Sequence, residues 1–585
     1  MTQAAKFFDP VLGIDIHMVV IPPSPAPVPM PHPFIGVVFD PIGAAIGAAV
    51  SVVLGGGGLV LINSLPIANT GTNVLGVPHI PMGASFHACD IPGNDGALVT
   101  GSKTVAMGGS SMGRLGSLVT TCNFPINLPT SICLAVPMGN PVLVGGPDSF
   151  DPLAAVSASE VADPRPWAEL IRQWSTFHPE FAYLPRKYKI AVSGGPDDGA
   201  GVRIHDQGFQ LVKNDAGELG FRAWAGGGLG RTPILGLVVR EFLPWQHLLT
   251  YSEAILRVYN RYGRRDNPFK ARIKILVKAL GIAEFTRQVE EEWSHLKDGP
   301  ETLTEAEVAR VSAHFTAPAY AALPAHDAQY AIARRDDPAF AQWAEHNVHA
   351  HKVAGYAAVT LSLKAPGQAP GDATSEQMEF VADLADRFGF GEVRVTQAQN
   401  LILPDVRQSD LYLLWTQAGG AGLVTPTVGL VSDITCCPGG DFCDLANARS
   451  IPVANAIQAR FDTLAVQEDI GRLKLNISGC MNACGHHHVG HIGILGVDKN
   501  DKEFYQVTLG GAWGVEASLG KVIGPSFSAA DVPGAVERIV EHYRSQRQGG
   551  ERFIDTLRRI GIDGFKARAY ENVKAEAEEK EAVNG

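Results

Sequence analysis

Charge is scarce at the start of this chain. The first 150 residues hold 3 Lys+Arg and 6 Asp+Glu, against 48 and 60 in all 585. Cysteine is absent between Cys133 and Cys436, and the eight in total are too sparse for a small disulfide-built scaffold. No cationic stretch followed by an apolar one opens the chain, so no secretory signal is expected. The net charge of −12 brings no clustered basic face, which excludes an ordinary nucleic-acid binder. Nucleotide-phosphate loops are missing too. Residues 226–231 are glycine-rich but lack the G-x-G-x-x-G spacing, and 514–521 has five residues between its glycines with Val522 after the lysine. With 45% hydrophobic and 18% charged residues the chain is nonetheless a folded one, and its length suggests about three to five domains.

Proline is concentrated where charge is missing: 18 of the 39 lie in the first 150 residues. Short apolar alternations punctuated by Pro, Gly and Asn read there as strands and turns. Val60-Leu61-Ile62, Pro66-Ile67-Ala68-Asn69 and Gly71-Thr72 are echoed by Val105-Ala106-Met107, Ser111-Met112-Gly113-Arg114 and Gly116-Ser117, at a constant offset of 45. Val142 to Pro147 is a third, partial copy. Such a unit buries no face alone, whereas stacked copies do. Residues 42–62 are uncharged and long enough to span a bilayer. The run contains Gly55 to Gly58 and flows into the first repeat, so it is read as an apolar helix or hairpin packed on this region, with membrane insertion as the alternative.

These repeats, with Phe8-Asp9-Pro10 and Gly13-Ile14-Asp15-Ile16-His17, resemble the PAAR-repeat domain, the all-β cone that tips the spike of bacterial type VI secretion systems. The resemblance implies one zinc near the apex, held by three His and one Cys. By position His17, His79 and Cys122 are the candidates, with His32 as the fourth; the alternative is ordinary loop histidines and a buried thiol. It also implies a spike trimer as partner.

After Pro147 the texture becomes that of an α+β protein, with residues 148–162 as a linker. A helix is expected over 167–174. Leu184-Pro185-Arg186-Lys187-Tyr188-Lys189 leads into a strand, where alternation sets Lys187 and Lys189 on one face and Arg186 and Tyr188 on the other. Two lysines projecting the same way make a pocket for a small anion; a solvated edge is the alternative. Cys437 and Cys443 form C-x5-C, and Cys480 and Cys484 form C-x3-C. Four thiolates from two loops suit an iron–sulfur cluster. Zinc is the physical alternative, although its ribbons usually use C-x2-C knuckles. Cys436 is the odd thiol.

Residues from about 155 to 570 resemble the sulfite/nitrite reductase family at its assimilatory haemoprotein branch. The resemblance rests on Gly226-Gly227-Gly228-Leu229-Gly230-Arg231-Thr232-Pro233, Phe242-Leu243-Pro244-Trp245-Gln246, Tyr262-Gly263-Arg264-Arg265-Asp266-Asn267, Ala271-Arg272-Ile273-Lys274 and Gly485-His486-His487-His488-Val489-Gly490, besides the cysteines. It implies a 4Fe–4S cluster on Cys437, Cys443, Cys480 and Cys484, and sirohaem whose iron takes Cys484. It sets Lys187 and Lys189 beside the bound anion as catalytic groups, and Asn482, Arg186 and Arg231 against the cofactors. His486, His487 and His488 are read as packing or carboxylate contacts.

The expected organisation is a PAAR domain over 1–150, a sirohaem domain over 155–340, a ferredoxin-like half-domain over 345–425 with a helix near 376–388, a cluster and sirohaem domain over 426–570, and a charged tail over 571–585. The family fold has two ferredoxin-like modules. The first is expected before residue 155, where the PAAR-like region stands, and no counterpart of its anion-binding arginines is found in residues 1–150. The expected function is six-electron reduction of sulfite, or nitrite, impaired by that missing module. The alternatives are a spike-tip protein carrying a reductase-derived cargo, and a fusion without integrated function. The electron donor is ferredoxin or an NADPH flavoprotein, and the place of action is the cytoplasm, with export through a type VI system on the spike reading.

Overall fold

The computed structural model describes residues 151–176 and 178–571 and, before residue 151, Thr72, the strands Thr2–Gln3, Ser85–Phe86 and Leu143–Val144, and the strands named below. The chain divides into two compact units, Met1–Pro147 with Thr374–Phe380, and Asp148–Ala373 with Val381–Gly585.

In the first unit, Pro10–Val20, Pro27–Val38, Asn73–Gly76, Asp95–Leu98, Leu118–Thr120 and Ser131–Cys133 pair antiparallel in succession. The last pairs back onto the first, so the sheet closes on itself and leaves no long open edge. Val11, Val38, Val74, Leu98 and Val119 are buried in it. The 45-residue repeat is visible in the backbone. Leu61–Ile62 pairs with Leu65–Pro66 as Ala106–Met107 pairs with Ser110–Ser111, in the same register. Asn73–Gly76 is followed, 45 residues on, by Leu118–Thr120. The register of the two long strands sets His17 opposite Met30 and His32 opposite Asp15, two residues apart on neighbouring strands. His79, Cys122 and residues 42–60 lie outside the described residues. Among the described residues no helix is long and apolar enough to cross a membrane.

The second unit holds three sheets. In the first, Ile190–Ser193 runs parallel to Gln207–Lys213, and Leu219–Ala225 and Leu237–Pro244 continue antiparallel. The helix Arg165–Ser175 includes the stretch expected over 167–174. Helix Leu248–Tyr262 turns Leu248, Tyr251, Ile255, Val258 and Tyr259 inward, a 3.6-residue stripe that packs with Phe209, Phe221 and Phe285. In the second sheet Val348–Ala350, Tyr356–Leu361, Leu401–Arg407 and Arg394–Val395 lie side by side, all antiparallel. Helix Ser375–Phe388 falls where the sequence places one, and Leu411–Gly420 follows.

The third sheet repeats the logic of the first. Thr435–Cys436, Leu475–Ser478 and Ile492–Asp498 are parallel, then Glu503–Leu509 and Lys521–Val522 are antiparallel. Helix Val532–Gln546 covers it with Val536, Ile539 and Val540. Leaving water is worth about 1.5–3 kcal/mol for each such side chain, which holds the sheet that carries the cysteine loops. The turn after Cys484 packs directly on this sheet: Asn476 Nδ2 donates to Gly485 O at 2.8 Å, and Gly485 N donates to Ser478 Oγ at 3.1 Å. A Cβ at Gly485 would stand 1.9 Å from Ile477 O. Gly485→Ala is therefore expected to lower stability by about 1–3 kcal/mol, the usual cost of forcing volume into a packed site. The check is the urea midpoint, which should fall at unchanged slope; an unmoved midpoint contradicts the packing argument.

Candidate cluster and anion site

The four spaced cysteines converge because two strand ends are neighbours. Thr435 and Cys436 pair in parallel with Asn476 and Ile477, and Cys437 N extends the ladder to Ile477 O at 3.1 Å. Both cysteine loops leave this pair at the same end. Gly479 N donates to Cys437 Sγ at 3.1 Å, and Cys443 N donates to Gly439 O at 2.9 Å. Gly439 and Gly479 pack almost in contact, since a Cβ at Gly479 would lie 2.8 Å from the Gly439 Cα. Cys480 is buried, Cys437 and Cys443 are half-buried, and Cys484 is exposed. Burial pushes the Cys484 thiol up, and the Cys437, Cys480 and Cys443 sulfurs push it further, while Lys187 opposes them. The three other sulfurs and Lys187 are thus all within electrostatic reach of Cys484.

Among the described residues the set of three or more ligand atoms lying within 4.8 Å of one another is His178, Glu253 and Glu301, and no three of these cysteine sulfurs qualify. Four thiols on two loops suit an iron–sulfur cluster. Cys436 stands apart. Its thiol is buried and turned back to Cys437 O at 3.2 Å, and burial holds it far above the usual thiol range.

A cationic wall, Lys187 and Lys189 backed by Arg272 and Lys274, reaches the exposed Cys484 electrostatically through Lys187. Lys187 is exposed and Lys189 half-buried, and both precede the strand, which begins at Ile190. Between them Tyr188 turns inward, stacking on Tyr259 and donating to Gln207 Oε1 at 3.1 Å. Behind the lysines Arg272 grips Asp206 with two bonds, 2.7 and 2.6 Å, and Asp206 Oδ2 accepts from Lys189 N at 3.0 Å. Lys274 is buried and donates to Gly228 O at 3.2 Å and Leu229 O at 2.6 Å. Burial, then Arg272, lowers it to about 8, with Lys187 adding to the effect and Asp206 opposing it. The glycine loop thus has a role other than phosphate binding. Gly230 lies against Met481 O, and His488 bonds to Gly230 O at 2.9 Å, so loop and cysteine turn are tied together. Arg186, Arg231 and Asn482 are exposed. His487 is buried with neither ring nitrogen bonded, and burial lowers it to about 3; His486 stacks on Trp513. None of the three histidines reads as a ligand.

The model of the Nitrite and sulphite reductase 4Fe-4S domain matches residues 147–297 and 429–577, more than half of the chain. The chain belongs to this family. The Nitrite/Sulfite reductase ferredoxin-like half domain matches 349–417, the module whose sheet is described above. Sulfite reductase [ferredoxin] 1 of Mycolicibacterium paratuberculosis is 29% identical over 69% of this chain and 67% of its own length. Ferredoxin–nitrite reductase of Synechococcus elongatus is 28% identical over 68% and 71%. The solved structure of Mycobacterium tuberculosis NirA is 28% identical, covers 71% of this chain and 70% of its own, and superposes with a TM-score of 0.55. Both family matches begin at or after residue 147, so the PAAR resemblance of the first unit rests on its own residues.

Sequence reasoning named Lys187 and Lys189 but not the ion pair behind them. Arg272 and Lys274 stood in a quoted motif without a role, and Asp206 carried no local signal. Removing one partner of a buried pair leaves the other charge uncompensated. Asp206→Ala is expected to cost about 3–5 kcal/mol, read as a lowered thermal midpoint, and to raise KM for the anion because Lys189 N loses its acceptor. A midpoint like the parent's would show that the pair does not hold this wall.

Proposed function

We propose that this protein reduces sulfite, or nitrite, by six electrons, using a 4Fe–4S cluster and sirohaem. The observation that carries the reading is the convergence of Cys437, Cys443, Cys480 and Cys484 at one sheet end, with Lys187 within electrostatic reach of Cys484. The donor set fits the cofactors. Four thiols come from two loops that leave one parallel strand pair, one of them is exposed, and the exposed cations Arg186, Lys187 and Arg231 would meet the carboxylates of a macrocycle. When bound, these groups would relay the donor's electrons through low-potential iron. The chain supplies position, charge and protons. Cys437, Cys443, Cys480 and Cys484 would hold the cluster, and Cys484 would also serve the haem iron. Lys187 and Lys189 would hold the anion and give protons as its oxygens leave as water, three from sulfite or two from nitrite. Asp206 fixes the main chain of Lys189, and Lys274 fixes the loop opposite. The names of the relatives favour ferredoxin as donor, and the cytoplasm is the place of action.

Purified protein is expected to contain iron and labile sulfide, to show a sirohaem absorption band, and to oxidise reduced methyl viologen only when sulfite or nitrite is added. Lys187→Met should keep the spectrum and lower kcat by about 10²-fold, the usual loss for one charge-stabilising group. Zinc without iron would overturn the reading.

For the first unit we infer a PAAR-type tip. Support comes from the 45-residue repeat, whose two hairpins share one register. It would take one zinc on His17, His32, His79 and Cys122, join a spike trimer and carry the remainder as cargo. Metal analysis should then find one zinc per chain beyond the iron, lost in His17→Ala; equal zinc in that variant contradicts the ligand set.

A further inference from the structure

The two-residue strand Thr435–Cys436 is an edge strand. Its one strand neighbour is Leu475–Ser478, on the side that leads to the cysteine loops. On its other side a single side chain stands in for a strand. Gln399 Oε1 accepts from Cys436 N at 2.7 Å, and Gln399 Nε2 donates to Cys436 O at 2.7 Å. The amide therefore makes the pair of bonds that a neighbouring backbone would make. One residue further on, Cys437 is held by Ile477 O and by Gly479 N.

The position of Gln399 is built with some effort. It has φ 58°, in the left-handed region where a non-glycine residue costs energy. The turn that puts it there is fixed by Gln399 N to Thr396 O at 3.0 Å and Asn400 N to Thr396 Oγ1 at 3.0 Å. Gly371 leaves the space, since a Cβ there would stand 2.6 Å from the Gln399 Cβ. The same module adds two more ties to the segment before the cluster. Lys364 Nζ donates to Ile434 O at 2.7 Å, and Asn400 Nδ2 donates to Asp433 Oδ1 at 3.1 Å.

We propose that Gln399 is a positioning residue for the iron–sulfur centre: its amide latches the main chain of Cys436 to the ferredoxin-like module and so sets the place of Cys437. This rests on the reading of Cys437 as a cluster ligand. Outer hydrogen-bond partners of metal ligands typically carry 10–100-fold in affinity. A glutamine is needed because the site demands a donor and an acceptor on one planar group. Glutamate has the same shape but turns an acceptor toward Cys436 O and adds a negative charge beside the cluster.

The test compares the full-length parent with Gln399→Glu and Gln399→Leu. Three quantities are read: iron and labile sulfide per chain after gel filtration, the cluster's reduction potential by EPR-monitored titration, and amide hydrogen exchange in the peptide containing Cys436. Gln399→Glu is expected to lower the potential and to lose cluster about tenfold faster in air. Both variants should exchange the Cys436 amide faster. If Gln399→Leu does not fold, the near-isosteric Gln399→Glu decides. A potential, iron content and exchange rate equal to the parent's in Gln399→Glu would overturn the latch. Faster exchange in a family of proteins whose parent carries no iron would instead keep the latch and sink the cluster reading.

Discussion

Everything in the candidate site depends on one short parallel pairing, Thr435 with Asn476 and Cys436 with Ile477. It is only two residues long, yet it brings together cysteines that lie more than thirty residues apart in the chain. Parallel strands leave at the same end, so the loops after Cys436 and after Ser478 must emerge side by side. Two close approaches then shape them: Gly479 against Gly439 sets the separation of the two loops, and Gly485 against Ile477 O folds the second back on its own strand. In both places the glycine matters for its missing Cβ, at a contact between backbones. A pairing this short has little stability of its own, and the strands that follow it supply the rest, through a core that includes Ile492, Ile494, Val507 and Ile539.

The other half of the site obeys the same topology. Ile190–Ser193 runs parallel to Gln207–Lys213 before the sheet turns antiparallel, as Leu475–Ser478 does with Ile492–Asp498. The difference lies in what each strand presents. One half offers sulfurs beyond the end of its strand. The other offers lysines before the start of its strand, backed by the buried Asp206–Arg272 pair. One architectural plan thus yields a thiol side and a lysine side, and the ties from Lys274 and His488 to the 228–230 loop join them.

Much of this was legible in the residues. Spacing grouped Cys437 with Cys443 and Cys480 with Cys484 on two loops, and the parallel pairing brings those loops to one sheet end. The repeat of 45 was legible because a stacked unit must reuse its small-residue corners, and its two hairpins have the predicted offset. The alternation around Lys187 was legible in part: Tyr188 does turn inward, but the strand begins only at Ile190. What stayed hidden was long-range. Asp206 meets Arg272 across 66 positions and Gln399 meets Cys436 across 37. Neither contact leaves a periodicity or a short motif, since each depends on where two separate turns end in space.

The charge balance of the site follows from these contacts. On the lysine side Asp206 compensates Arg272, and it also accepts from Lys189 N, so it has little left for Lys187 and Lys274. Lys274 is held at about 8, with burial and its cationic neighbours outweighing Asp206. On the opposite side burial and the three other cysteine sulfurs push the Cys484 thiol up, while Lys187 pulls it down. Lys187 also lowers Lys274. One lysine is thus felt by both halves: it favours the thiolate of Cys484 on one side and the neutral amine of Lys274 on the other, as a cation does to groups of opposite and like charge.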